Sequence, residues 1–259
     1  MNIVVCVKQV PDTWSERKLR ETDSTLDRDA ADALINELDE YAIEEGLRLT
    51  EAHGGEVTIL SVGPEKAAES IRKALSMGAD KAVHVSDEAL HGSDALVTSA
   101  VIAKVLGRIG FDLVILGSES TDARMGVLAA MLSERLGVPQ MSFASKVETD
   151  GTTISINRQA DYGYDTVEAT LPAVVSVVEK INEPRYPSFK GIMAAKKKPV
   201  ETLSLADLEI DAAQAGLAAS ATEVVSFASR PPRQAGTIVT DEGDGGVQAA
   251  EFLAARKFI

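Results

Sequence analysis

The residues best suited to chemistry form one run, Gly117-Ser118-Glu119-Ser120-Thr121-Asp122-Ala123-Arg124-Met125-Gly126, leading into Val127 and Leu128. An apolar stretch precedes it and a helical pattern follows. That places it at the carboxyl end of a strand, where open α/β sheets bind ligands. Backbone N–H groups at the helix start, with the hydroxyls of Ser118, Ser120 and Thr121, can hold a phosphate. Glu119 and Asp122 disfavour a triphosphate. They suit ribose hydroxyls, or a single phosphate held by backbone donors. An ordinary capped turn also fits these residues. Ser61-Val62-Gly63-Pro64-Glu65 is a second junction of this kind: its glycine permits close ligand approach and its proline starts a helix. A simple tight turn fits it too. A third candidate is Asn182-Glu183-Pro184-Arg185-Tyr186-Pro187-Ser188-Phe189-Lys190-Gly191. Two prolines stiffen it, and Arg, Tyr and Phe are common interface anchors. Lys196, Lys197 and Lys198 add a local positive patch. A surface loop with a solvated helix end is the plainer alternative.

Several chemistries are disfavoured. There is no GxGxxG after the first apolar run, no GxxxxGK[ST] and no GxSxG. His53, His84 and His91 lack ligand spacing, and no metal site is expected. Cys6 is the single cysteine, which rules out an intrachain disulfide and a cysteine-based zinc site. Cys6 and His84 both read as packed side chains in apolar strands. No acid–base pair stands out, so a binder or carrier is favoured over a hydrolase. The 259 residues carry 40 acidic and 26 basic side chains, a net charge of -14. Nucleic-acid affinity rests on Lys/Arg contacts, so no nucleic-acid partner is expected. One Trp, four Tyr and six Phe are too few for a stacking platform. No apolar run reaches the roughly 18 residues of a membrane span, so membrane insertion is not expected. The start, MNIVVCVKQV, reads as a strand rather than a signal peptide, and a cytoplasmic location is expected.

The elements that would position these loops alternate. Residues 2–7, 56–62, 82–85 and 112–116 are apolar runs suited to parallel strands buried on both faces. Helical periods lie between and after them, at 30–53, 65–78, 93–110 and 124–136. In the first, Leu34, Leu38, Tyr41, Ala42, Ile43 and Leu49 lie mostly on one face. Ser93-Asp94 is a cap candidate, and Gly78, Gly110 and Gly137 are stops. This alternation predicts a doubly wound α/β sheet. Residues 142–149, 152–160, 165–170 and 173–179 then read as successive strands adding antiparallel structure, with turns at Asp150-Gly151 and Tyr162-Gly163. Lys196-Lys197-Lys198-Pro199 is expected to close the compact part of the chain, residues 1–199. Residues 200–259, with an Ala-rich stretch, Arg-Pro-Pro-Arg at 230–233 and a last helix around Val247, Phe252 and Leu253, form an arm without a core of its own.

The chain resembles the beta-subunit family of electron-transfer flavoproteins. The resemblance is carried by VCVKQVPD (5–12), SVGPE (61–65) with IRKALSMGAD (71–80), LPAVVSV (171–177) and, above all, INEPRYPSFKGIMAAKKK (181–198). It spans residues 2 to about 200. It implies a Rossmann-like α/β domain of the adenine-nucleotide alpha-hydrolase kind, with a C-terminal arm lying on an alpha subunit. It implies an electron carrier, not an enzyme. FAD would sit mainly in the alpha subunit, and a structural AMP in this one. Electrons would pass from acyl-CoA and other dehydrogenases to a quinone oxidoreductase. By position, the AMP contacts fall on Cys6, on Asn36 with Glu37, Leu38 and Asp39, on Val62, and on 117–128. Dehydrogenase recognition falls on 182–198, with Phe189 as apolar anchor beside Pro184, Arg185, Tyr186, Lys190, Ile192 and Met193. Thr13 stands where many relatives place an aromatic facing the flavin. Glu119, Val127 and Ala129 depart from the family's loop pattern, which Gly117 and Asp122 match. Tyr162 and Asp165 depart from a second signature. Two alternatives stay open: a bifurcating subunit with a second FAD in place of AMP, and a stand-alone adenine-nucleotide module.

Overall fold

Short runs of β-branched and aliphatic residues build the centre of the sheet in the computed structural model, which describes residues 1–229, 231, 232, 236 and 238–259. The chain runs β1 (Asn2–Cys6), β2 (Gln9–Pro11), β3 (Ala33–Ile35), α1 (Glu37–His53), β4 (Glu56–Val62), α2 (Ala68–Met77), β5 (Lys81–Val85), α3 (Ala95–Ile109), β6 (Leu113–Gly117) and α4 (Leu128–Leu136). There follow β7 (Gln140–Thr149), β8 (Thr153–Ala160), β9 (Gly163–Thr170), β10 (Ala173–Val177), α5 (Phe189–Ala195), β11 (Val200–Leu203), α6 (Gly216–Ala219) and α7 (Gly245–Ala255). The expected α/β class holds. One nine-stranded sheet has the order β11-β5-β4-β1-β6-β10-β7-β8-β9, and β2 pairs β3 apart from it. Strands β11 through β7 are mutually parallel, and β7-β8-β9 form an antiparallel meander.

Side chains alternate across the strands, so both faces of the sheet are covered. Ile3 and Val5 of β1 join Ile43 and Leu47 of α1 and Ile71 and Leu75 of α2 on one face. Val4 and Cys6 join Val101, Val105 and Leu106 of α3 and Leu132 of α4 on the other. Asp94 caps α3 by accepting from Val97 N at 3.0 Å, and Gly110 ends that helix. The hairpin at Asp150-Gly151 forms with Gly151 at φ 90°, a left-handed position suited to glycine.

Four boundaries differ from the sequence expectation. The first helix starts at Glu37, not residue 30. Leu34 lies in β3 opposite Val10, and Asn36 N donates to Lys8 O, which holds 33–36 extended. The fourth helix starts at Leu128, not 124, because Arg124 (φ 51°) and Gly126 (φ 64°) are left-handed and break it. The strand expected over 173–179 is not part of the antiparallel addition. As β10 it lies parallel between β6 and β7, where its uniformly buried Ala-Val-Val-Ser-Val run fits a position covered on both faces. The compact unit ends at Val224 rather than at residue 199. Residues 200–203 extend the sheet beside β5, and Leu203, Leu205, Leu208 and Ala215 are buried in the core.

Residues Val225–Ile259 are a separate unit. Within it α7 buries none of its residues, and Arg256 lies 4.6 Å from the centroid of the Phe252 ring. Arg230 and Arg233 of the Arg-Pro-Pro-Arg motif lie outside the described residues. No described helix is long and apolar enough to cross a membrane.

Candidate functional site

Strand order reverses at β1. From β1 the chain builds outward through β4 and β5, then returns to pair β6 on the other side of β1. A crevice outside the carboxyl ends of the strands is expected at such a reversal. The segments converging there are Lys8 after β1, Asn36–Asp39 at the start of α1, and 117–128 after β6. Asn36 is fully buried and joins two of them. Its Nδ2 donates to Glu119 O at 3.0 Å, and its Oδ1 accepts from Thr121 N at 3.0 Å. Asp39 accepts from Lys8 N at 2.8 Å and from Gly117 N at 3.2 Å. Gly117 is required by this close approach: a Cβ there would lie 2.6 Å from Asp39 Oδ1 and 2.8 Å from the Leu38 backbone carbon.

Electrostatics distinguish the two aspartates. Burial pushes the Asp39 carboxyl up to about 7, against the opposing pull of the Lys8 N–H, the Asn36 side chain and the Gly117 N–H. Burial also acts to raise Asp122, but the Lys8 charge and hydrogen bond, the Ser120 hydroxyl and the Arg28 charge together hold it below the usual carboxylate range. Lys8 Nζ lies 2.7 Å from Asp122 Oδ1 and donates to Ser120 Oγ at 3.2 Å. Arg28 Nη2 lies 3.9 Å from Asp122 Oδ2. Asp122 is thus offset from two sides by Lys8 and Arg28. Cys6 is buried, and burial, with the negative charge of Asp39, pushes its thiol up to about 12. It is a packed, unreactive thiol, and His84, buried against Gly63 O at 3.1 Å, is a packed histidine.

The loop fits a polar ligand. No side chain caps α4, so its first N–H groups lack a side-chain acceptor. Among the described residues, the buried hydroxyls Thr121 Oγ1 in the loop and Ser61 Oγ in β4 have no hydrogen-bond partner. Ser118, Glu119 and Ser120 are half-buried, Val62, Gly126, Val127 and Leu128 likewise, while Ala123, Arg124 and Met125 are exposed. Glu37 is exposed and accepts from Thr13 Oγ1 at 3.3 Å. Among the described residues no cluster of His, Cys, Asp and Glu is arranged to hold a metal ion. Sequence reasoning missed Lys8 and Arg28. Lys8 directly follows the first strand, which was a usable signal. Arg28 had none.

The 182–198 segment lies over α1 and α2. Arg185 does not project: its guanidinium meets Glu44 and Glu51 of α1, which hold it further into its charged form. Asn182 Nδ2 donates to Tyr41 O at 3.1 Å and to Glu45 Oε2 at 3.0 Å. Lys198 is likewise not a free surface charge. Its Nζ donates to Leu75 O and Gly78 O at 3.0 Å and to Ala79 O at 2.5 Å, the carbonyls at the end of α2. Ser188 caps α5 by accepting from Gly191 N at 3.1 Å. Between these ties the apolar side chains face out. Tyr186 is 96% exposed and Phe189 79%, with Ile192 and Met193 half-exposed one turn on. Pro184 is half-buried and Lys190 exposed.

Comparison with known proteins places the whole chain in one family. A family model described as "Electron transfer flavoprotein domain" matches residues 23–208. "Electron transfer flavoprotein subunit beta" of Mycobacterium tuberculosis is 53% identical over 264 residues, covering 100% of this chain and 99% of that one. Proteins of the same description from Clostridium acetobutylicum (36% identical, 92% of each chain covered) and Megasphaera elsdenii (33% identical, 100% of each) are similar over nearly their whole lengths. The family-model match and the full-length correspondence establish that this chain belongs to the electron transfer flavoprotein beta-subunit family.

Proposed function

We propose that the chain is the beta subunit of a heterodimeric electron transfer flavoprotein, an electron carrier rather than a self-sufficient enzyme. The observation that carries this is the correspondence with beta subunits over the entire chain. In this reading an alpha subunit holds most of the FAD site. FAD supplies the redox chemistry when bound, accepting electrons from acyl-CoA and other dehydrogenases and yielding them to a quinone oxidoreductase. The beta chain is the rigid base of the complex and works in the cytoplasm.

Its residues 117–128, with Asn36–Asp39, Cys6 and Val62, would hold AMP as a structural nucleotide. The unpartnered hydroxyls of Thr121 and Ser61 and the uncapped start of α4 support a polar ligand there. Lys8 and Arg28 offset the Asp122 charge, which favours an anion. The 182–198 segment would dock the dehydrogenase through Phe189, Tyr186, Ile192 and Met193. The C-terminal residues would lie on the alpha subunit. Electron transfer needs short distance and mobility rather than acid–base groups, and Asp39 and Cys6 accordingly act as packing and hydrogen-bonding groups.

Co-expression with the alpha chain, denaturation of the purified complex and chromatography of the released nucleotides test this reading. One FAD and one AMP per heterodimer is the expected result. Two FADs and no AMP would show a bifurcating subunit. A chain that forms no complex and releases ATP or nothing would overturn the reading.

A further inference from the structure

We propose that Glu44 and Glu51 of α1 are positioning residues for partner docking: by gripping Arg185 they set the 182–195 segment in the pose that meets the dehydrogenase. This rests on the docking role given to that segment above. The geometry is specific. Arg185 Nε donates to Glu44 Oε2 at 2.8 Å and Nη2 to Glu44 Oε1 at 3.0 Å, a two-pronged pairing that matches the guanidinium fork. Nη1 donates to Glu51 Oε1 at 2.5 Å and Nη2 to Glu51 Oε2 at 3.1 Å. The Arg185 backbone N–H also donates to Glu44 Oε2, at 3.1 Å. Little of the guanidinium's donor capacity remains for a partner. Arg185 therefore acts through the loop it anchors rather than as a contact itself.

The two carboxylates lie about two turns apart on α1, so they share a face. Glu44 is only 7% exposed at its side chain, whereas Glu51 is largely solvated. A buried carboxylate left without its partner is costly, so Glu44 holds the arginine firmly. Asn182 adds a second tie to α1. At the far end the chain is pressed onto α2: a Cβ on Gly191 would fall 2.4 Å from Ser76 O, and Lys198 closes the end of that helix. The exposed apolar side chains lie between the two anchorages. Without the ties, Tyr186 and Phe189 would gain by folding back onto the protein surface, and binding would have to order the loop afresh. Pre-organisation removes that cost from the docking step.

The experiment uses the intact heterodimer carrying Glu44→Gln, Glu51→Gln, both, or Arg185→Ala in the wild-type and double-Gln backgrounds. An acyl-CoA dehydrogenase charged with its acyl-CoA is the donor, and reduction of the complex's flavin is followed. Glu44→Gln is expected to raise the KM for the carrier about tenfold, the size of one lost anchoring interaction, with kcat within about twofold. AMP content should be unchanged, and amide exchange in 182–189 should accelerate. Arg185→Ala should add little in the double-Gln background, because the grip is already lost. Unchanged KM alongside accelerated exchange would overturn the proposal. So would a further large rise from Arg185→Ala in the double-Gln background, which would place the guanidinium on the partner. If Glu44→Gln fails to fold, Glu51→Gln at its solvated position keeps the test, with an expected rise of about threefold. Absence of any reduction of the wild-type complex would instead remove the docking reading itself.

Discussion

Above β1 and β6, Asn36 and Asp39 are buried and their polar groups answer backbone N–H and C=O groups of neighbouring segments. In the 182–195 segment, Tyr186 and Phe189 stand in solvent while Arg185 and Asn182 beneath them are tied to α1. The first region joins three loops through a buried polar network, so its stability and its geometry are one property. The second separates the two: charged and polar groups hold it, and its apolar groups stand free of the fold. A change in the first region should appear as lost stability together with lost ligand. A change at the tip of the second should appear in partner kinetics alone.

The sharpest break should come from Gly117→Ala. The new methyl meets backbone as well as side-chain atoms of α1, and overpacking of that kind costs about 3 kcal/mol. Urea denaturation should show it, and nucleotide content should fall with it. Retained stability would mean that α1 and β6 separate easily. Asn36→Ala comes next. It leaves Glu119 O and Thr121 N without their partner, at a cost of about 2 kcal/mol. Loss of AMP without loss of stability would show that Asn36 serves the ligand only. Phe189→Ala should leave the denaturation midpoint and AMP content unchanged while weakening dehydrogenase-dependent reduction about tenfold, near 1.4 kcal/mol. Equal reduction rates in variant and wild type would remove Phe189 from the docking surface.

The smallest effect is a pH slope. The Asp39 pKa of about 7 lies above its unfolded value of about 4. The folded state therefore binds more protons between these values, and stability falls as pH rises through that window. Between pH 6 and 7 the loss is about 1 kcal/mol. Asp39→Asn lacks this titration, so its stability relative to wild type should improve over the same interval. Parallel stability profiles would show that Asp39 does not titrate there.

Much of the frame was legible in local pattern. The β4 run, the Asp94 cap and the Asp150-Gly151 turn lie where their residues placed them. Errors arose where one pattern serves two structures. Leu34 fits the helical period of α1, yet it pairs in β3, because the Asn36 amide is needed by Lys8 O. The lysines at 196–198 read as a single positive patch, but Lys198 lies half-buried against α2 carbonyls. In the candidate site, the loop 117–128 was legible as a candidate through its glycine and hydroxyls, and Asn36 only through the family resemblance. The neutralisation of Asp122 by Lys8 and Arg28 was not, because nothing in the spacing of these residues links them.

By itself the sequence determined the buried central strands β1, β4, β5 and β6, the apolar faces of the main helices, the Asp150-Gly151 turn and which family the chain joins. These follow from periodicity and turn chemistry, which act over a few residues. The tertiary structure alone decided that β10 inserts between β6 and β7, that 200–224 belongs to the compact unit, and that Arg185 meets Glu44 across a separation of 141 residues. Such pairings depend on which strand edges and helix faces the chain's path brings together. Side chains of suitable type are common along the sequence, and only the closed sheet selects which of them meet.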